Sequence, residues 1–367
     1  MLGAVMNRRD FLRSASLALA GVTLAKADSS VVQQPSSDGW RNFEVTTLAE
    51  VLKPAGETKV WLPTALIQST PFQRTISNQF SADGGNARIV ESKPEGLGIV
   101  VATFPPETKP ALRLTSHVAL KNYSVDLSKP GHARPLAKAE RENYLQPKKY
   151  VPTDGIVKAT AVEITKGADT DVEKARAIYE WIVDNTFRDA KVRGCGRGDI
   201  RPMLETRYLG GKCADLNALY VGLARAVGLP ARDVYGIRVA KSELGYKSLG
   251  ASSEKVTKAQ HCRAEVYLAQ FGWVPVDPAD VRKVVLEEPP GNRPLNDEMV
   301  VSARKRLFGS WEMNWMAYNF AQDVELPGSS AETIPFLMYP QAQTAEGRLD
   351  SLDPENFKYE ITAKELS

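Results

Sequence analysis

Histidine is scarce in this sequence. There are three in 367 residues: His117, His132 and His261. So short a supply leaves few choices for a general base working near neutral pH. Cysteine also numbers three, Cys195, Cys213 and Cys262, so at least one thiol stays unpaired. Cys-x-x-Cys spacing is lacking, which weighs against a structural zinc site. His261 and Cys262 are also neighbours on an expected strand, where successive side chains face opposite ways. One metal is then hard for both to reach, and no metal or cofactor is expected. No run of roughly 18 apolar residues occurs, which excludes a membrane-spanning helix. Apolar content of 43% and charged content of 25% leave an ordinary globular chain, long enough for two or three domains.

Residues 1–27 read as an export signal rather than fold. Asn7-Arg8-Arg9-Asp10-Phe11-Leu12-Arg13 precedes a short apolar stretch, and Ala25-Lys26-Ala27 offers a small-residue cleavage site. The paired arginines before Phe11-Leu12 resemble a twin-arginine signal. The twin-arginine export machinery is therefore an expected partner, and the periplasm or another exported location the expected destination. The segment carries four cations against one acid, a net of +3, and the whole chain is also +3. What remains after its removal is near neutral and gives no reason to expect nucleic-acid binding.

The rest divides by pattern. Residues 40–127 hold short strand candidates at Phe43–Thr47, Lys59–Leu62, Gly98–Ala102 and Leu112–Leu120. Turn signals such as Lys53-Pro54-Ala55-Gly56, Asp83-Gly84-Gly85 and Phe104-Pro105-Pro106 separate them. This predicts a small antiparallel β-sandwich. Residues 128–155, with Pro130, Pro135, Pro147 and Pro152, read as a linker. Residues 156–288 form a core. Thr170-Asp171-Val172-Glu173 is a capping box opening one helix, and a second spans about Cys213 to Val227 until Gly228 and Pro230 stop it. Strands are expected at Asp233–Val239, Cys262–Leu268 and Trp273–Val276. Residues 289–367 form a mixed C-terminal segment, partly β. Trp311, Trp315 and Tyr318 lie there at helical spacing, and three apolar patches near 324–326, 336–339 and 357–361 are candidate strands. The fold class is α+β.

Three residues could do chemistry together. Cys213 follows Gly210-Gly211-Lys212 at a helix start, where free N–H groups and the helix dipole favour a thiolate. The glycines allow close approach by a substrate backbone. His117 lies in the strand pattern of the sandwich and His132 in the linker, so His261 is the expected base. His261–Leu268 and Trp273–Asp277 then form a hairpin that returns Asp277 opposite or next to His261, as an orienting acid needs. The competing explanations are a small buried cysteine and a bland hairpin with one polar face.

Gly211-Lys212-Cys213-Ala214-Asp215, the helix end Leu223–Arg232, His261 with Glu265-Val266-Tyr267, Gly272-Trp273 and Asp277-Pro278 together resemble the transglutaminase-like superfamily core. The resemblance covers about residues 156–288. It implies a papain-like fold with Cys213 as nucleophile, His261 as base and Asp277 as orienting acid. Many relatives carry Trp two residues after the histidine, where this chain has Arg263, which leaves the substrate pocket open. Gly211, Arg197, Arg263 and Trp273 are candidates for lining the substrate cleft. Asp215 reads as a helix-end charge, and Glu265 as a neighbour-orienting group or a partner for Arg263. Residues 241–260 are expected to form a mobile lid running into His261. Cys195 and Cys262 either pair as a disulfide or stay as two buried thiols. The expected function is an exported cysteine enzyme that hydrolyses amide or peptide bonds through a thioester, acting on a peptide, protein or cell-wall fragment. Alternatives are acyl transfer to an amine, a non-catalytic peptide- or glycan-binding envelope protein, and a redox sensor built on Cys213.

Overall fold

A computed structural model describes residues 39–131 and 133–366. The expected signal (1–27) and His132 lie outside the described residues. Among the described residues no helix is long and apolar enough to cross a membrane.

The chain opens with six strands: β1 (Arg41–Val51), β2 (Thr58–Pro63), β3 (Gln73–Ala82), β4 (Asn86–Ser92), β5 (Leu97–Phe104) and β6 (Ala111–Leu120). Strict alternation of buried and part-exposed residues along β1 marks a sheet with one covered face. The four strands expected from sequence are present, and β3 and β4 join them, the chain passing from one sheet to another at Asp83-Gly84-Gly85. Residues 123–124 form the short β7, and Lys138–Asn143 the single-turn α1. Tyr144, Tyr150 and Val151 between α1 and the next helix are buried, so this Pro-rich stretch is packed onto its neighbours.

The core follows with α2 (Gly155–Ile164), α3 (Asp171–Asn185), β8 (Phe187–Arg188), α4 (Ile200–Thr206), β9 (Gly210–Gly211) and α5 (Cys213–Ala226). The capping box at Thr170 and Glu173 forms as expected. Every residue of α5 is buried, so this helix is a central post rather than an amphipathic surface helix. Then come β10 (Ala231–Arg238), β11 (Gln260–Leu268), β12 (Gly272–Val276) and α6 (Pro278–Glu287). The helix α7 (Glu298–Arg306) precedes β13 (Ser310–Trp311), β14 (Trp315–Asn319), β15 (Gln341–Thr344), β16 (Gly347–Arg348) and β17 (Phe357–Leu366).

The core sheet has the order β12-β11-β10-β14, all antiparallel. Two further antiparallel sheets, β17-β1-β6-β3 and β16-β15-β2-β5-β4, enclose an apolar layer that includes Val60, Leu62, Ala102, Leu112 and Phe357. Both of these sheets are completed by C-terminal strands. The helical spacing of Trp311, Trp315 and Tyr318 does not make a helix. The two tryptophans fall on β13 and β14, separated by a break, and all three rings are buried core. Of the three apolar patches, only 357–361 lies in a strand. Val324 and Ile334 share an isolated bridge.

Candidate active site

Cys213 is the first residue of α5 and is 4% exposed. The helix start is set by Asp215 two residues on. Its Oδ2 accepts the Lys212 N–H at 2.9 Å, and its Oδ1 accepts the N–H groups of Arg197 and Gly198, each at 2.9 Å. One buried carboxylate thus ties the 194–199 loop to the start of α5. The Ala214 N–H is taken by the Cys195 carbonyl at 2.9 Å. The Cys213 N–H itself has no partner among the described residues and stays available at the positive helix end.

The hairpin supplies the other two groups. Its register pairs Leu268 with Gly272 and Ala264 with Val276, so one further step sets Asp277 opposite Arg263 and diagonal to His261. The diagonal is short enough: His261 Nε2 lies 2.8 Å from Asp277 Oδ2. Asp277 is fixed in turn as the N-cap of α6, accepting the Asp280 N–H, with Pro278 at the first helical position. Asn217 of α5 donates to the Cys262 carbonyl at 2.8 Å and lies 3.3 Å from Asp277, which crosses helix and hairpin at this point. With Nε2 on Asp277, Nδ1 is the ring nitrogen left for the sulfur, and His261 is near enough to Cys213 to lower its pKa.

A second carboxylate, Asp280, lies 3.4 Å from His261 Nε2. Arg238 holds it through contacts of 2.6 and 2.9 Å. Burial opposes a charge on His261. The carboxylates of Asp280 and Asp277 outweigh both burial and Arg238, and raise its pKa from 6.5 to about 9. The neighbouring Cys195 and Cys262 thiols, then His261, hold Cys213 well below the usual thiol range despite burial. Both shifts favour the charged forms, a thiolate beside an imidazolium. All three cysteines are free, and Cys195 and Cys262 flank Cys213 rather than bonding to each other.

Cys213 and His261 open onto a cleft of about 670 Å³. Seven of its lining side chains are cationic, and none of the described residues lining it is a carboxylate. Gln260, next to His261, also lines it and is 9% exposed. Its Nε2 is buried with no hydrogen-bond partner.

The candidate cleft residues fall elsewhere. Arg263 is buried behind His261 and Asp277, 3.7 Å from Asp277, with its guanidinium over Trp315 and Trp311 at 4.7 and 5.4 Å. It follows the register just described, opposite Asp277 rather than facing out. Burial lowers its pKa to about 10. Trp273 lies towards the far end of the hairpin and stacks on Arg232 at 4.0 Å. Arg232, and not Arg263, pairs with Glu265, at 2.7 Å. Arg197 turns away to donate to the Tyr150 hydroxyl at 2.7 Å. Gly211 is not a gap left for substrate. A side chain there would strike Asp215, with a Cβ only 2.5 Å from the aspartate's own. Sequence reasoning missed Asp280, Arg238 and Gln260. The Asp277-Pro278 pair signals a helix start that would have placed Asp280 one turn along.

The segment 241–260 is a fixed wall rather than a lid. Glu288 accepts from the Lys247 and Ser248 N–H groups and the Ser248 hydroxyl, at 3.0, 2.9 and 2.6 Å. Val256 N–H donates to the Ile361 carbonyl of β17 at 2.8 Å. Leu249 and Val256 are buried.

The model of the transglutaminase-like superfamily matches residues 158–278. An uncharacterized protein of Haemophilus influenzae is 35% identical over 352 residues, covering 88% of this chain and 91% of its own. The chain belongs to the transglutaminase-like superfamily. A crystal structure described as a candidate cysteine protease, from Cytophaga hutchinsonii, shares the fold with a TM-score of 0.50 at 16% identity. It covers 89% of this chain and 98% of its own. The periplasmic domain of TgpA from Pseudomonas aeruginosa matches with a TM-score of 0.32 at 16% identity, over 68% of this chain and 90% of its own. A transglutaminase-like core with a papain-like α+β fold is therefore established, and its residues 158–278 contain Cys213, His261 and Asp277.

Proposed function

We propose that this protein is an exported cysteine enzyme that hydrolyses amide or peptide bonds. The observation that carries the reading is the buried line Asp277–His261–Cys213 at the start of α5. The Cys213 thiolate attacks a carbonyl carbon, and the Cys213 N–H at the helix start is the available donor for the resulting oxyanion. The His261 imidazolium gives its proton to the departing amine, leaving a thioester on sulfur and a neutral ring. That ring then takes a proton from water, which hydrolyses the thioester. Asp277 keeps the ring oriented throughout.

Hydrolysis is favoured over transfer to an amine by the cationic walls of the cleft, which repel an alkylammonium acceptor. A peptide, protein or cell-wall fragment fits the expected exported location, with delivery through the twin-arginine machinery by the signal at 1–27.

A neutral electrophile tests the core of this reading. At about pH 6 an ordinary thiol is protonated, so iodoacetamide should label Cys213 in the wild type and on the order of a hundredfold more slowly in His261→Ala. Equal rates, read by mass spectrometry of the Cys213 peptide, would refute activation by His261.

A further inference from the structure

The charge of the cleft walls bears on what the enzyme accepts, given the cysteine-enzyme reading above. Most of the cations there are already answered. Arg238 is held by Asp280, Arg193 pairs with Asp350, and Lys255 with Glu360. Arg188 and Lys283 have one carboxylate between them, Glu287. Lys212 and Lys258 have no ion pair among the described residues. Asp189 feels Lys212 only at a distance, and its carboxylate is bonded to the Tyr208 hydroxyl at 2.7 Å. Cys213 and His261 together add no net charge, whether both are ionised or both neutral. The walls therefore carry a surplus of positive charge on both flanks of the nucleophile. Lys212 is its chain neighbour and Lys258 lies three residues before His261.

The surplus is local. The chain beyond residue 27 is near neutral overall, so the cleft does not merely share a basic surface. A concave site lined by one sign of charge focuses its field on the ligand. Two ammonium groups without ion pairs, in walls whose described residues hold no carboxylate, call for a ligand rich in oxygen acceptors.

We propose that the cleft takes an anionic acyl donor, a peptide bearing Asp or Glu carboxylates beside the bond to be cut, with Lys212 and Lys258 setting that preference. The carboxylates meet the lysines. Bonds with neutral or basic residues at those positions bind less well, and the preference weakens as salt rises.

The test uses two readouts so that this proposal and the hydrolase reading can fail separately. The first is binding of dye-labelled hexapeptides rich in Glu, against the matched Gln set, to Cys213→Ala protein at low ionic strength. The Glu set should bind about fivefold tighter, a factor typical of two exposed charge contacts. Lys258→Gln should cut the preference by about half, and Lys212→Gln with Lys258→Gln should abolish it. High salt should do the same to the unmodified walls. Equal binding of the two sets, or a preference untouched by both lysine changes, overturns the proposal whether or not Cys213 is a nucleophile. The second readout is alkylation of Cys213 in the otherwise native chain. Iodoacetate, an anion, should lose rate relative to neutral iodoacetamide when Lys258 becomes Gln. A ratio unmoved by that change counts against the proposal. Loss of labelling by both reagents strikes the hydrolase reading instead.

Discussion

Two histidines in this protein sit beside a carboxylate and a potential nucleophile, and they make an instructive pair. On the sheet β17-β1-β6-β3, His117 lies 3.1 Å from Glu44 on one neighbouring strand and 3.1 Å from the Ser77 hydroxyl on the other. In the core, His261 lies 2.8 Å from Asp277 and beside Cys213. The spacing alone hardly separates them. Their surroundings do. The His117 and Glu44 side chains are 29% and 41% exposed, whereas those of His261 and Asp277 are 4% and 0% exposed. Water screens the first pair and leaves the second at full strength. The second also gains a helix N-terminus, a further carboxylate in Asp280 and the Arg238 that holds it. A row of the right residue types becomes a reactive centre only when burial and fixed charges are added.

The contrast can be broken from the stronger end. Asp277→Asn removes the nearer carboxylate from His261, and labelling of Cys213 by iodoacetamide at about pH 6 should fall roughly tenfold as the imidazolium is weakened. No fall would mean that Asp280 alone sustains the charged ring. Next comes pH. The folded pKa of His261 is raised from 6.5 to about 9, so the stability its charge contributes is fully present below pH 6.5 and disappears as pH climbs through about 9. The iodoacetate-to-iodoacetamide rate ratio at Cys213 should drop several-fold over the same limb, because the cation that attracts the anionic reagent is gone. A flat ratio would show that the ring is neutral in the resting enzyme. The weakest effect belongs to the sandwich. His117→Gln should leave Cys213 labelling unchanged and shift stability by less than about 1 kcal/mol, as expected for an exposed pair. A larger loss in thermal unfolding would place that row among the structural contacts.

Legibility from sequence followed the range of the interactions. The α5 start, the capping box on α3 and the β11–β12 hairpin are set by residues close together in the chain, and each was readable from spacing. Asp277 was reachable because a hairpin register is local. Arg238 and Asp280 were not, since one ends a core strand and the other lies inside the next-but-two element, with no periodicity joining them. Arg263 was misjudged because alternation along a strand gives a side, not whether that side faces water or core. The segment 241–260 looked loose from its glycines and serines, yet its anchors are Glu288 and β17, both distant in sequence. Trp311 and Trp315 are four apart, a spacing that a helix and two broken strand ends both satisfy.

The strand β17 adds a temporal consequence to the spatial one. It pairs with β1 from Asn42 opposite Leu366 to Val51 opposite Phe357, and Phe357 and Tyr359 also line the cleft. A nascent chain therefore leaves the ribosome with β1 unpaired on that edge and the cleft missing one side until β17 has been synthesised. Neither the sheet nor the surroundings of Cys213 can mature until that strand has emerged.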